Sequence, residues 1–524
     1  MTDTTLRRGL ISGATAYLPA IALALLGVGL VIYLTRDGAG ASGDSAWYVM
    51  GAQNLLAGNG FMRFSGGGEL RPITGFPPAF SLVLAGISAA GVDPFASAQI
   101  LNTSLFGANL LLAGTLIYKA SRSRWATAVG VLLLLVTATL IESHSWVMSE
   151  PLYIFLSLLV AHLVALGIPS GDRRLLVGAG LLVGVAILTR YAGFSLLAAG
   201  GLCILVLGPM DLKSRAISST IFAALGLVPA VWWLSMLSSE GSSLANRKIL
   251  FHTMSQELMG AYQGELVAWA FARQLPVSWR PRAILALTIA AIGPIHFVVS
   301  RLRASRLRRP YADRYGEVLP WFLGSYLLAY VGVLAANSLF LDAATTLGAP
   351  ERYLAPAYVA LVILSAVTTA DLVSSVKTTR LPAAFALSLG LLLVALHLSR
   401  SLMLLSDEGL NLGYVDVKRD RPELVQGLRE IDRETPIISN NPEMVFILGG
   451  RPAYLLPIRY DVYSQTERAD YEKNIRANRR RLEGGAVLVI LGNPDEGALE
   501  AMNDLNVTPI RGFSSAMFYG AAEG

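Results

Sequence analysis

Runs of about twenty mostly apolar residues recur from residue 14 to residue 400, and such a run satisfies its backbone polar groups in lipid only as a helix. The windows lie at 14–34, 95–118, 125–141, 151–168, 173–189, 191–208, 216–237, 282–300, 318–338, 353–371 and 381–400. They predict a polytopic α-helical membrane protein with about eleven transmembrane helices. Only 15% of the 524 residues are charged, against roughly a quarter in a soluble domain. The net charge of +6 is spread over short connections between windows, so no nucleic-acid partner is expected. A single cysteine, Cys203, rules out a disulfide framework within the chain. Arg7 and Arg8 precede a first run too long for a signal-peptide core, with no small-residue cleavage site after it. It reads as an uncleaved first helix.

Lysine and arginine collect in alternate connections, at 119–124, 169–174, 209–215, 300–314 and 375–380. The positive-inside rule puts these, and the N-terminus, in the cytoplasm. The expectation is a multi-pass protein of the inner or plasma membrane with its C-terminal part extracytoplasmic.

Two outer regions are large. The first, residues 35–94, carries a helical pattern over Trp47–Leu56 ended by Gly58-Asn59-Gly60. A glycine turn (Gly66-Gly67-Gly68) follows, and Phe76-Pro77-Pro78 opens a second apolar helix through Ala90. That helix is too short to span and is expected in the interface. The second region, 401–524, alternates helical patterns (Arg421–Glu434, Glu467–Leu482, Asp495–Leu505) with β-like runs (Pro436–Ser439, Ala453–Leu456, Val487–Leu491, Val507–Ile510). It reads as a small α/β domain appended to a membrane domain of residues 1–400.

Charges at the bilayer boundary are costly and therefore point to function. The outer set is Asp37, Asp44, Glu142, His144, Glu150, Arg190, Asp342, Glu351 and Arg352. Carboxylates mixed with guanidinium groups suit a site that binds a phosphate and removes a proton. Asp44 leads as a general base; its plain alternative is an N-cap for the helix that follows. Glu150 opens a span and reads either as a helix-end charge or as a second catalytic carboxylate. Arg352 and Arg190 break the expected depletion of positive charge at outer span ends, which calls for anionic partners: a lipid phosphate, a structural carboxylate or a headgroup. Arg71 is a weaker third, and Tyr48 and Tyr353 flank these positions. Glu142, His144 and Glu150 cluster without a metal-ligand spacing, so no cofactor is assigned and a divalent metal stays an alternative. Asp37 reads as a solvated boundary residue, and the tryptophans as an interfacial belt. No nucleotide-binding loop is present, which argues against a nucleotide-powered pump.

Five segments carry a family resemblance. GDSAWYVMGAQNLLAGNGF (43–61) resembles an acidic first-loop motif with its juxtamembrane helix, and FPPAFSLVLAG (76–86) a proline-led second helix. MSEPLYIFLSLL (148–159) with LTRYAGFSLL (188–197), and ERYLAPAY (351–358), are similar to later blocks. In order and sidedness the chain resembles the GT-C superfamily of polyprenyl-phosphate-dependent membrane glycosyltransferases, nearest the branch of protein O-mannosyltransferases and aminoarabinose transferases. The resemblance implies an inverting transferase with Asp44 as base and Arg352, with Arg190, on the donor phosphate. It implies a polyprenyl-phosphate-linked sugar donor, membrane lipid, and a protein, lipid or glycan acceptor. Many relatives carry a second acid after the motif aspartate; here that position is Ser45. A lipid or small-molecule transporter, and a non-catalytic scaffold with an outer recognition domain, remain the alternatives.

Overall fold

The computed structural model describes residues 17–65, 69–239, 249, 251, 253–271, 275–286, 314–340, 350–375, 380–407, 411–461 and 466–522. Its membrane part is helical. In chain order the elements are α1 (Leu18–Leu34), α2 (Gly43–Leu56), β1 (Met62–Ser65), β2 (Glu69–Pro72), α3 (Ala79–Ser88), α4 (Pro94–Ser121), α5 (Arg124–Leu135) and α6 (Ala138–Ser145). They continue with α7 (Glu150–Ser170), α8 (Arg173–Thr189), α9 (Phe194–Leu207), α10 (Leu212–Ser239), α11 (Gln256–Phe271), α12 (Tyr315–Phe340), α13 (Pro350–Ser375) and α14 (Leu381–Asp407).

Local chemistry sets many of these boundaries. Asp93 caps α4 by accepting from the amides of Phe95 and Ala96, and Pro94 takes the first helical position. Ser123 and Asp172 cap α5 and α8 in the same way. α4 lies against α1 and α7, α8 between α7 and α10, and α9 against α12. Large side chains such as Phe106, Tyr153, Phe222 and Tyr326 fill the spaces between them. α14 instead leaves Leu381, Phe385, Leu391 and Leu392 exposed, as a lipid-facing helix would.

Six helices are long and apolar enough to cross a membrane: α4, α7, α10, α12, α13 and α14. The window 125–141 is not one straight span, because α5 and α6 meet at a bend of 58°. Thr137 sits at the break, its hydroxyl donating to the Leu133 carbonyl and lying 3.0 Å from the Tyr358 hydroxyl. Counted as one span, that pair makes seven among the described residues. α1 and the helix of window 191–208 are apolar but shorter, and window 282–300 lies largely outside the described residues.

Outside the bundle, α2 and α3 pack face to face, with β1 and β2 forming an antiparallel hairpin between them. The glycine turn at 66–68 lies outside the described residues. α14 continues through Asp407, so a domain boundary at 400 falls inside a helix.

The C-terminal part contains α15 (Tyr414–Asp420), α16 (Pro422–Glu430), β3 (Ile437–Ser439), α17 (Pro442–Gly449), β4 (Tyr454–Leu455), β5 (Tyr460–Asp461) and β6 (Thr466–Glu467). After these come α18 (Tyr471–Glu483), β7 (Val487–Leu491), α19 (Glu496–Leu505), β8 (Val507–Phe513) and β9 (Ala516–Ala521). The main sheet has the order β4-β3-β7-β9-β8, parallel from β4 to β7 and antiparallel through β9. Neighbouring strand residues point to opposite faces. Ile437 and Val489 therefore join a core with Leu424, Leu428 and Val445, while Ile438 and Leu488 join another with Tyr471, Ile475 and Ala501. The expected α/β character is present. β9 and the β5–β6 ladder carry no clear alternation and were not anticipated.

Candidate active site

Helix α2 begins differently from the cap reading of Asp44. Its N-cap is Ser42, whose amide donates to the Ser45 hydroxyl at 3.0 Å. Asp44, in the first turn, is free to point elsewhere, and its Oδ2 accepts from Nη2 of Arg352 at 3.2 Å. Ser45 is fully buried. A second acid there would have to bury its charge inside the cap, which gives a physical reason for serine.

Arg352 lies in the first turn of α13 and faces two carboxylates. Besides Asp44 it reaches Oε1 of Glu150 through both Nε and Nη2, each at 3.0 Å. Arg190 binds the same oxygen through Nη1 at 3.0 Å and donates to the Ser149 hydroxyl at 3.1 Å. The Ser149 hydroxyl is also 3.0 Å from the Tyr48 phenol. Tyr353 lies beside both guanidinium groups, its ring centroid 5.8 Å from Arg190 and 5.9 Å from Arg352. Four segments remote in sequence thus converge on one alternating arrangement, Asp44–Arg352–Glu150–Arg190.

Exposure grades across it. The Glu150 side chain is 0% exposed, Arg190 14%, Arg352 24% and Asp44 35%. The buried end is fixed and the Asp44 end is open. Glu150 Oε2 has no hydrogen-bond partner among the described residues, so both arginines hold the carboxylate through Oε1. Burial pushes the Tyr48 phenol well above its ordinary range, which leaves it a neutral hydroxyl.

Each member is held by its surroundings. Asn102 of α4 donates to the carbonyls of Trp146 and Met148, and Asn109 donates to the carbonyl of Pro151. These bonds fix the turn that delivers Ser149 and Glu150. Arg190 is the extended residue between α8 and the short turn Tyr191–Gly193. At Gly193 a Cβ would meet the Ile187 amide at 2.6 Å, so glycine lets the chain fold back tightly there. On the Asp44 side, Gly40 pairs with Trp146 and Ala41 with Gly413 as parallel bridges. The Trp146 indole donates to the Asn411 carbonyl at 3.0 Å, and the Trp47 indole to Glu443 at 2.8 Å. The C-terminal domain therefore grips the segment that presents Asp44. Trp146, read as a belt residue, is part of this grip.

Other sequence candidates lie elsewhere. His144 is a buried core histidine: Nδ1 donates to the Leu140 carbonyl at 2.7 Å, and Nε2 accepts from Asn109 at 3.1 Å. No hydrogen bond or ion pair among the described residues joins Glu142 or His144 to the four charges, and no group of metal-ligating side chains forms among them. Arg71 is exposed on β2, 3.8 Å from Glu69, and not near the cluster. Asp37 is solvated, 3.7 Å from Arg36. Asp342 lies outside the described residues. Ser149, Asn102, Asn109 and Glu443 were missed. Only Ser149, beside Glu150, carried a signal in the sequence.

No protein-family model matches the chain, and no curated protein matches its sequence. Its structure is similar to that of ArnT from Cupriavidus metallidurans in the apo state, at 14% identity and TM-score 0.58, over 97% of this chain and 98% of that one. The same protein bound to undecaprenyl phosphate matches at 13% identity and TM-score 0.55, over 95% and 97%. The chain has the GT-C fold that its motifs led us to expect.

Proposed function

We propose that this protein is an inverting membrane glycosyltransferase that moves a sugar from a polyprenyl-phosphate donor to an extracytoplasmic acceptor. The observation that carries this reading is the convergence of Asp44, Arg352, Glu150 and Arg190 at one end of the bundle. The fold shared with a protein that binds undecaprenyl phosphate supports a lipid-phosphate donor.

In this reading Asp44, the most exposed of the four, takes a proton from the acceptor's hydroxyl or amine. The freed lone pair attacks the anomeric carbon from the side opposite the phosphate. The bond from that carbon to the phosphate oxygen breaks, and polyprenyl phosphate leaves with the electron pair. Inversion follows from the single displacement. Arg352 serves both halves of the step. Before reaction it is shared with Asp44, and as the proton reaches Asp44 that carboxylate loses its charge and its hold. The guanidinium is then available to the negative charge growing on the leaving phosphate. Glu150 keeps Arg190 and Arg352 side by side, which two like charges would otherwise resist. The protein needs no acid on the leaving group, because phosphate departs as a stable anion.

The test is Asp44→Asn in purified protein with a polyprenyl-phosphate sugar. Transfer is expected to vanish while lipid binding and thermal stability stay near wild type. Turnover at the wild-type rate would remove Asp44 from the mechanism.

A further inference from the structure

A second cavity, of about 440 Å³, lies between the β1–β2 hairpin and the C-terminal domain, and none of the four clustered charges lines it. Its volume is that of a small-molecule site. Five basic side chains line it, Arg63 and Arg71 from the hairpin and Arg468, Lys473 and Arg481 from the domain, against three carboxylates. How the domain treats its other arginines makes this excess informative. Arg459 is surrounded by Glu472, Glu500 and Asp504 at 3.5, 2.6 and 3.4 Å. Arg511 has Glu430 at 2.6 Å. Both of these arginines are matched by carboxylates.

In the cavity Arg71 lies 3.8 Å from Glu69, while Arg63, Lys473 and Arg481 make no ion pair among the described residues. Arg63 is half-buried and stacked 4.1 Å over the Trp47 ring, with no ion pair among the described residues. Burial holds its pKa below the usual guanidinium range, with Glu443 opposing and Arg71 adding to the effect. Arg481 lies 3.7 Å over the Tyr454 ring and donates to the Asn478 side chain at 2.8 Å. It is fixed in place without being neutralised. Lys473, on the exposed face of α18, likewise makes no ion pair among the described residues. Guanidinium groups held over rings without a carboxylate partner are arranged for carboxylate or phosphate oxygens. Phe64 adds an apolar ring to the wall, which suits the C–H faces of sugar rings.

The cavity also lies against α2, because Glu443 on its wall accepts from the Trp47 indole at 2.8 Å. Trp47, under Arg63, follows Asp44 by about one helical turn on α2. We infer that this cavity seats the acceptor and that the acceptor is an acidic saccharide, its anionic groups held by Arg63, Lys473 and Arg481 next to the base. The word acceptor rests on the transferase reading above; the binding of an acidic saccharide does not.

The test uses the full chain in phosphatidylcholine nanodiscs and three fluorescent probes: hexagalacturonate, neutral maltohexaose and hexaglutamate. Hexagalacturonate is expected to bind at least about tenfold more tightly than either of the others and to weaken with added salt. Lys473→Glu, at an exposed position that leaves the fold intact, is expected to lower its affinity about tenfold, and Arg481→Gln to act in the same direction. Equal binding of maltohexaose, or an unchanged affinity in Lys473→Glu, overturns the proposal. Equal binding of hexaglutamate overturns it in favour of an acidic peptide. Polyprenyl-phosphate binding and the effect of Asp44→Asn are measured on the same preparations. Failure of saccharide binding alone removes the acceptor site, and wild-type transfer by Asp44→Asn alone removes the transferase reading.

Discussion

Replacing Glu150 by glutamine removes one negative charge and almost nothing else. The side chain keeps its length and an oxygen where Oε1 now stands, yet two guanidinium groups 3.0 Å away lose their counter-charge. At an effective dielectric of about 20, each such pair is worth about 5 kcal/mol of gross Coulomb attraction. Much of that offsets the cost of desolvating a carboxylate that is 0% exposed. Removing one side of a buried pair typically destabilises by about 3–5 kcal/mol. Arg190 and Arg352 keep 14% and 24% of their side-chain surface in contact with solvent, so the lower end applies, about 3 kcal/mol. Spread over the unfolding entropy of a chain of 524 residues, that lowers the thermal midpoint by about 3 °C. Activity falls further. Without Glu150 the guanidinium groups repel, and Arg352 leaves the line between Asp44 and the leaving phosphate. Loss of one such positioned donor costs about 10²–10³ in rate. Glu150→Asp keeps the charge and shortens the reach by one methylene, so it should fall between wild type and Glu150→Gln in both measurements. The assays are thermal unfolding in detergent and single-turnover transfer from a polyprenyl-phosphate sugar. A Glu150→Gln protein with wild-type midpoint and rate would refute the claim that this charge orders the two arginines.

Two further substitutions probe how Asp44 is presented. Gly413 has φ +63, and an added Cβ would meet the Ala41 carbonyl at 2.5 Å and the Trp146 ring at 2.8 Å, so Gly413→Ala should strain the bridge by about 1–3 kcal/mol. The expected readout is a lower kcat with unchanged donor-lipid affinity; equal kcat would show that the bridge does not position the base. Ser45→Asp puts a second acid directly after Asp44 but places a carboxylate where the side chain is fully buried. It should lower the thermal midpoint and give no gain in turnover, and a faster enzyme would overturn the account of Ser45 as a capping residue.

What could be read along the chain was what depends on neighbours in sequence. Apolar windows predict helices because lipid offers the backbone no partner, and each window among the described residues carries a helix, whereas α11 lies outside every window. Asp93-Pro94 and Asp172 mark helix starts because a cap bonds to amides two or three residues on. The tail's alternation of strand and helix patterns was legible for the same reason, and so was the solvated state of Asp37.

The rest depended on groups that meet only after folding. Asp44 was as compatible with a cap as with a base. The fold gives the cap to Ser42 and pairs Asp44 with Arg352, some three hundred residues away. Arg190 and Arg352 announced themselves as misplaced positive charges, but nothing local said that one buried carboxylate holds both. His144 and Glu150 look alike in sequence, as polar groups near an outer span end. The first is satisfied by Leu140 and Asn109, and the second by two arginines. Arg71, grouped with Arg190 and Arg352 as a candidate for phosphate binding, lands instead on a hairpin that lines the cavity beside the C-terminal part. Residue type and spacing set which charges this chain must place at the membrane boundary, because their burial there costs energy wherever they go. Only the packing of α2, α7, α8 and α13 determined which carboxylate faced which guanidinium, because electrostatic energy depends on distances in space that the order of residues does not contain.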